Sequence, residues 1–346
     1  MLYRKMIAPI IFALTEDDPE KAHELAIRVM TRVQNVPLLL QLIALWYRAN
    51  ENPNPVKVAG IPFPNPIGLA AGFDKHAEIL LFLQALDFGF IEVGTALPCP
   101  QDGNPRPRQF RIPEDGAIIN RNGFNSHGCA AVAERLKDVH PDLHIPLGIS
   151  CGKMKDTPLE KAAEDYATVA SQIGTFGAYI AINVSSPNTP ELRRLQGREY
   201  LENIVCSVVL QSAGKPVFVK ISPDLTEEEL DITLEAIIHG GGKGIIIGNT
   251  TTARPSRGTG IFRRQPSRTY GESGGLSGPL LEERVLPLIK RSRTLEPKLP
   301  IIGVGGTYDR DSAQRKFDAG ANLVQLFTGL VYRGPGLITE CRNVEI

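Results

Sequence analysis

From Val56 to the carboxyl end, short apolar runs alternate with longer stretches of helical period. The runs fall near 66–71, 90–94, 145–149, 178–184, 216–221, 244–249, 300–304 and 322–327. Each is short enough for a buried strand. Between them, apolar residues recur at helical spacing, for example over 77–86, 129–139, 159–173, 226–238 and 311–319. Eight strands, each followed by a crossover, predict an α/β chain folded as a (β/α)8 TIM barrel. An open doubly wound sheet is the alternative. Two long intervals, 95–144 and 250–299, become insertions on the strand-end face of such a barrel.

Upstream of Val56 the pattern is different. Asp18-Pro19-Glu20 reads as a helix start, with an acidic cap and Pro in the first turn. Ala22, Leu25, Ala26, Val29, Met30 and Val33 then keep helical spacing until Asn35 and Pro37 break it. A second helix, about 38–48, is apolar nearly all round, so it must be buried or touch lipid. Asn50 to Pro55 reads as a linker. The expected division is a helical element over 1–52 and a barrel over 53–346.

Composition narrows the function. The chain has 346 residues, 42% of them apolar, enough for a sizeable core. Lys plus Arg and Asp plus Glu both number 38, so the basic excess of a nucleic-acid binder is missing. Cysteines stand at 99, 129, 151, 206 and 341; none forms Cys-x-x-Cys, so no metal site is expected, and the odd count fits a reducing compartment. No cleavage pattern of a signal peptide follows the first apolar patch. The longest apolar stretch, Val36 to Tyr47, is shorter than the roughly twenty residues that span a bilayer.

Chemistry concentrates where the strands end, the face that carries barrel active sites. The fourth strand runs into Asn183-Val184-Ser185-Ser186-Pro187-Asn188-Thr189-Pro190, rich in amide and hydroxyl groups and free of fixed charge. Such a segment can grip a polar ring and leave one hydroxyl for proton transfer; the plainer reading is a capped strand-to-helix loop. Lys75 follows the first strand, and Lys220 sits within the apolar fifth, where an unpaired lysine is rare. Gly303-Val304-Gly305-Gly306 and Gly274-Gly275-Leu276-Ser277-Gly278 offer backbone donors to a phosphate. The six histidines do not gather at strand ends, and no nucleophilic triad is visible. This set suits an organic cofactor with a phosphate tail and an anionic substrate.

These residues match a known family. The chain resembles the membrane-associated, quinone-dependent (class 2) dihydroorotate dehydrogenases. The likeness runs from Asp18-Pro19-Glu20 to Gly334-Pro335-Gly336 and rests on Gly68 to Lys75, Asn120 to Asn125, Gly152 to Pro158, Asn183 to Pro190, Leu276-Ser277-Gly278 and Pro300 to Gly306. The resemblance implies one FMN per chain, with Ala71, Gly72, Thr95, Ser150, Asn183, Lys220, Gly248, Gly278, Gly306, Phe327 and Thr328 around it. It implies that Lys75, Asn120, Arg121, Asn122, Gly123, Phe124, Asn183, Asn188, Asn249 and Thr250 bind dihydroorotate and orotate. Ser186 would be the base, where the soluble class has Cys, and Thr189 its relay partner through a water. Dihydroorotate would lose a proton from C5 and a hydride from C6, in pyrimidine biosynthesis. Electrons would pass to ubiquinone or menaquinone through the N-terminal helices, with Trp46 and Tyr47 at the membrane interface.

A monomer is expected, and the lack of an Arg-rich leader favours the cytoplasmic face of a bacterial inner membrane. The chain departs from the family pattern in four places. Ser150 replaces a usual Asn, Gly248 a Thr or Ser, Phe327 a Tyr, and Pro279 follows Gly278 one residue early.

Overall fold

The computed structural model describes residues 3–48, 54–254 and 268–346. The boundary placed between residues 52 and 53 lies outside the described residues, as does most of the linker before it. Along the described chain the strands are β1 (Val56–Val58), β2 (Ile61–Phe63), β3 (Ile67–Leu69), β4 (Phe90–Ala96), β5 (Gln109–Ile112), β6 (Ala117–Asn120), β7 (Leu147–Cys151), β8 (Tyr179–Asn183), β9 (Val217–Ile221), β10 (Gly244–Ile247), β11 (Gly275–Ser277), β12 (Ile301–Val304) and β13 (Leu323–Leu326).

Eight of them close a parallel barrel in the order β3, β4, β7, β8, β9, β10, β12, β13. Val324 pairs with Ile67, so the last strand returns to the first, and the open-sheet alternative falls away. Helices cover the outside, which is why these strands are apolar on both faces. Val217-Phe218-Val219 and Ile245-Ile246-Ile247 are buried throughout. Each expected strand is present to within a few residues. The crossover helices are well signalled: Thr226 forms a capping box with Glu229, and Asp309 caps the helix Arg310–Asp318.

Inside the barrel, Phe90, Tyr179, Phe218, Ile246, Ile302 and Leu323 fill the lower layers. The hairpin β1–β2 seals them: Phe63 meets Phe90 edge-on at 5.3 Å. That leaves the carboxyl end as the open end. There the two long insertions meet. β11 pairs antiparallel with β6, and β6 with β5, so one small sheet joins both insertions.

One helix begins later than its periodicity suggests. The expected 77–86 starts at Leu80. The buried Asp74 carboxylate accepts the N–H groups of Glu78 at 2.9 Å and Ile79 at 3.0 Å, holding 74–79 as a loop. Burial raises its carboxyl to about 6, against the pull of those donors.

Among the described residues a π-helical turn (Tyr3–Ile7) and three α-helices precede the barrel: α1 (Ala8–Leu14), α2 (Pro19–Gln34) and α3 (Pro37–Arg48). Asp18 caps α2 through the N–H groups of Glu20 and Lys21, as the sequence pattern foretells. α2 is tied to the barrel. Its Ile27 joins the main core, and its buried Glu20 takes Arg108 with both carboxylate oxygens, at 2.7 to 3.2 Å. α3 turns away from α2 by 104° and has no buried residue. Leu38, Leu42, Leu45 and Trp46 are all exposed, Trp46 by 78%. Among the described residues no single helix is long and apolar enough to cross a membrane.

Candidate active site

A cleft opens at the carboxyl ends of the barrel strands and encloses about 1090 Å³, its open mouth included. Among the described residues its lining contains Lys75 and Lys220 but no carboxylate. A positive, amide-rich and carboxylate-free cleft favours anions.

Most of the residues singled out from the sequence gather on it. Ala71, Gly72 and Lys75 line it from the loop after β3, Thr95 from β4, and Asn120, Asn122, Gly123 and Phe124 from the end of β6. Asn183, Ser186 and Asn188 come from β8 and its loop, Lys220 from β9, and Gly248, Asn249 and Thr250 from beyond β10. Gly278, Gly306, Phe327 and Thr328 close the far wall. Three residues lie elsewhere. Arg121 binds Glu272 at 2.7 Å and stacks 4.5 Å over Phe110, on the other side of its strand from the cleft. Ser150 and Thr189 are buried behind the lining.

The polar side chains are locked to one another. Asn183 donates to Thr95 Oγ1 at 2.9 Å, which meets Ser150 Oγ at 3.1 Å. Ser185 Oγ donates to Asn183 Oδ1 at 3.1 Å and accepts from Asn249 at 2.8 Å. Asn188 donates to Asn120 Oδ1 at 3.1 Å. Each amide is thereby oriented before a ligand arrives. Ser186 Oγ accepts only the Asn188 N–H, at 3.3 Å, and Thr189 Oγ1 is buried without a hydrogen-bond partner among the described residues.

Beneath the cleft lies a group the sequence reading missed. Glu92, fully buried on β4, stands 3.6 Å from Lys220 Nζ. Tyr179 donates to it at 2.9 Å and Gln325, which lines the cleft, at 2.8 Å. A lone carboxylate inside the apolar run Phe90-Ile91-Glu92-Val93 was the available signal: buried charges are paired. Lys75, half-buried, is the second cation on the cleft lining. Burial lowers its ammonium to about 8, opposed by Glu20 and reinforced by Arg108.

The architecture and this lining coincide with a family match over residues 55–343, to dihydroorotate dehydrogenase. The chain belongs to the dihydroorotate dehydrogenase family. The protein of Salinispora arenicola called dihydroorotate dehydrogenase (quinone) is 45% identical over 98% of this chain and 97% of its own. The protein of Chloroflexus aurantiacus with the same name is 43% identical over 97% of this chain and 93% of its own. A DHODH of Eimeria tenella, solved in complex with ferulenol, superposes with a TM-score of 0.82 at 34% identity, covering 96% of this chain and 93% of that one.

Family membership implies a flavin, and the residues present fit one. At the far wall Gly278 has φ +130°, and a Cβ there would sit 2.9 Å from the Ala117 Cα. A Cβ on Gly306 (φ +72°) would sit 2.5 Å from the Glu282 nitrogen. Both positions therefore need glycine, which leaves bare backbone facing the cleft beside the hydroxyls of Ser277 and Thr328, 2.8 Å apart. The departures from the dihydroorotate dehydrogenase pattern have local explanations. A Cβ at Gly248 would sit tight against Val285 at 3.1 Å and Pro223 at 3.3 Å. Ser150 supports Thr95 and Asn183 from below rather than lining the cleft. Phe327 lines it and packs on Phe73 at 5.9 Å. Pro279 opens a tight turn, Pro279–Leu281, directly behind Gly278.

Proposed function

We propose that this cleft oxidises (S)-dihydroorotate to orotate with one FMN per chain and passes the electrons to a membrane quinone, in pyrimidine biosynthesis. The observation that carries the reading is a carboxylate-free cleft with two lysines, in which a nearly unpartnered serine stands among interlocked asparagines. When bound, FMN supplies the two-electron acceptor for the C6 hydride. The chain supplies the rest. Lys75 holds the substrate carboxylate, and Asn120, Asn183, Asn188, Asn249 and Thr250 orient its ring. Asn122, Gly123 and Phe124 wall it in. Ser186 takes the C5 proton. A serine hydroxyl is a weak base, so the proton must move on, and Thr189, buried and without a hydrogen-bond partner among the described residues, is the relay. Lys220, backed by Glu92, stabilises negative charge that develops at the cofactor. Arg121 acts from outside, by bracing the loop beyond Asn120 against Glu272.

The helices before the barrel form the quinone end. His23 of α2 packs edge-on against Phe73 at 5.1 Å, and Phe73 against Phe327, so two rings link the helix to the cleft wall. Arg111 lies 3.3 Å under the Phe12 ring of α1 and 5.8 Å from the Tyr332 ring, which ties α1 to the barrel side of this element. The apolar face of α3 rests on the lipid surface, on the cytoplasmic side of a bacterial inner membrane, and the working unit is the monomer. Residues 1–52 thus serve the acceptor and 53–346 the chemistry.

After reduction by dihydroorotate, a ubiquinone analogue should restore the flavin absorbance rapidly while NAD⁺ leaves it bleached. Rapid reoxidation by NAD⁺ would overturn the quinone assignment.

Lys75 gives the reading a pH signature. Burial disfavours its ammonium, so the cation is complete at pH 6 and is lost as pH rises through about 8. Orotate needs that cation. Its affinity should stay flat from pH 6 to 7 and then fall by up to about tenfold per pH unit above 8. Calorimetric titration from pH 6 to 9.5 measures this, with Lys75→Met expected to bind weakly and without the bend. A wild-type affinity that stays level to pH 9.5 would remove Lys75 as the carboxylate anchor.

A further inference from the structure

We infer that Arg193 is a positioning residue for proton transfer: it fixes the backbone carrying Ser186 against the loop carrying Asn249 and Thr250. The inference rests on Ser186 being the base. Arg193 stands on the short turn Leu192–Gln196, outside the cleft lining. Its guanidinium reaches three strand-end loops at once. Nε donates to the Ser185 carbonyl at 3.0 Å, one peptide from Ser186. Nη2 donates to the Thr250 carbonyl at 2.8 Å. Nη1 meets the Asp224 carboxylate, beyond β9, at 2.8 Å.

Asp224 spreads the clamp further. It accepts the Thr251 hydroxyl, the Thr252 N–H at 3.0 Å, and Arg284 at 3.4 Å. The adjoining Gln196 takes the Ser222 N–H at 2.8 Å, which ties the same turn to the end of β9. The Ser185 side chain already bridges Asn183 and Asn249 on the cleft side. Arg193 does the same from the outer side, through the main chain. Only a planar fork with several fixed donors can serve three acceptors in three directions.

The consequence is geometric. A base must stand within hydrogen-bond reach of its proton, and a misplacement of about 1 Å can cost roughly 10²-fold in rate. Arg193 therefore acts through Ser186, and its loss should matter only while Ser186 is present.

A double-mutant cycle of Arg193→Met and Ser186→Ala on the flavin-loaded protein tests this, read by stopped-flow flavin reduction with dihydroorotate and by calorimetric orotate binding. Arg193→Met alone should slow reduction by about 10²-fold. In the Ser186→Ala background it should change the rate by less than about threefold, the mark of coupled residues. Orotate affinity should fall far less than the rate, because the Ser185 side chain still holds Asn249. Should Arg193→Met not yield folded protein, Arg193→Lys serves the same cycle, because an ammonium keeps the charge but cannot span the three acceptors. Equal losses in both backgrounds, or a wild-type rate in the Arg193 variant, would overturn the inference alone. A wild-type rate in Ser186→Ala would overturn the base assignment and the inference with it.

Discussion

Ser186→Ala is expected to slow reduction of the bound flavin by dihydroorotate about 10³-fold, within the 10²–10⁴ that general-base groups contribute. That corresponds to about 4 kcal/mol of barrier. Orotate should still bind, because the amides proposed to hold the ring have Thr95, Asn120 and Ser185 as side-chain partners, and Ser186 Oγ takes only the Asn188 main-chain N–H among the described residues. Stopped-flow reduction and orotate titration on the same preparation separate the two effects. A variant that loses orotate binding and rate together would make Ser186 a binding group. In the proposed mechanism Thr189 serves as the relay for so weak a base. Its hydroxyl is buried and unpartnered among the described residues, which is costly unless a water or a moving proton uses it.

The second large effect concerns the acceptor side. Leu42→Glu combined with Trp46→Glu should release the protein from lipid vesicles and lower turnover with a vesicle-borne long-chain quinone, while flavin reduction by dihydroorotate proceeds at the wild-type rate. Both side chains are exposed on α3, Trp46 by 78%, so the barrel does not depend on them. Burying a large apolar side chain yields about 1.5–3 kcal/mol, so losing two should weaken vesicle partition by at least about 10²-fold. Vesicle sedimentation reads the first effect and quinone reduction the second; undiminished vesicle binding would detach α3 from the membrane role. Deleting residues 1–52 is a blunter instrument. It would remove Glu20 and break the buried pair with Arg108. The helical element is thus fastened to the catalytic barrel by charge as well as by Ile27.

The barrel was legible because parallel strands buried on both faces read as continuous apolar runs, and because strand-end residues stand out against them. The run near 322–327 became Leu323–Leu326, and Asn183 ends β8 as its neighbours suggested. What escaped has physical causes. β11 pairs with β6 across about 150 residues, Leu276 opposite Ile119, and three-residue strands leave no periodic trace. Asp74 delays a helix through its side chain, which apolar spacing does not register. Arg121 follows Asn120 directly, yet neighbouring residues at a strand end face opposite sides, so one lines the cleft and the other binds Glu272. Glu92 and Gln325 lie 233 residues apart in the chain, and only barrel closure brings them together under Lys220.

The central claim is that dihydroorotate is oxidised in this cleft by a flavin held on the far wall. Anaerobic titration of the purified protein with dihydroorotate, followed by its visible spectrum, tests it most directly. The account predicts a yellow protein that bleaches stoichiometrically as one orotate forms per chain. A colourless protein, or a yellow one whose spectrum dihydroorotate leaves unchanged, would contradict it.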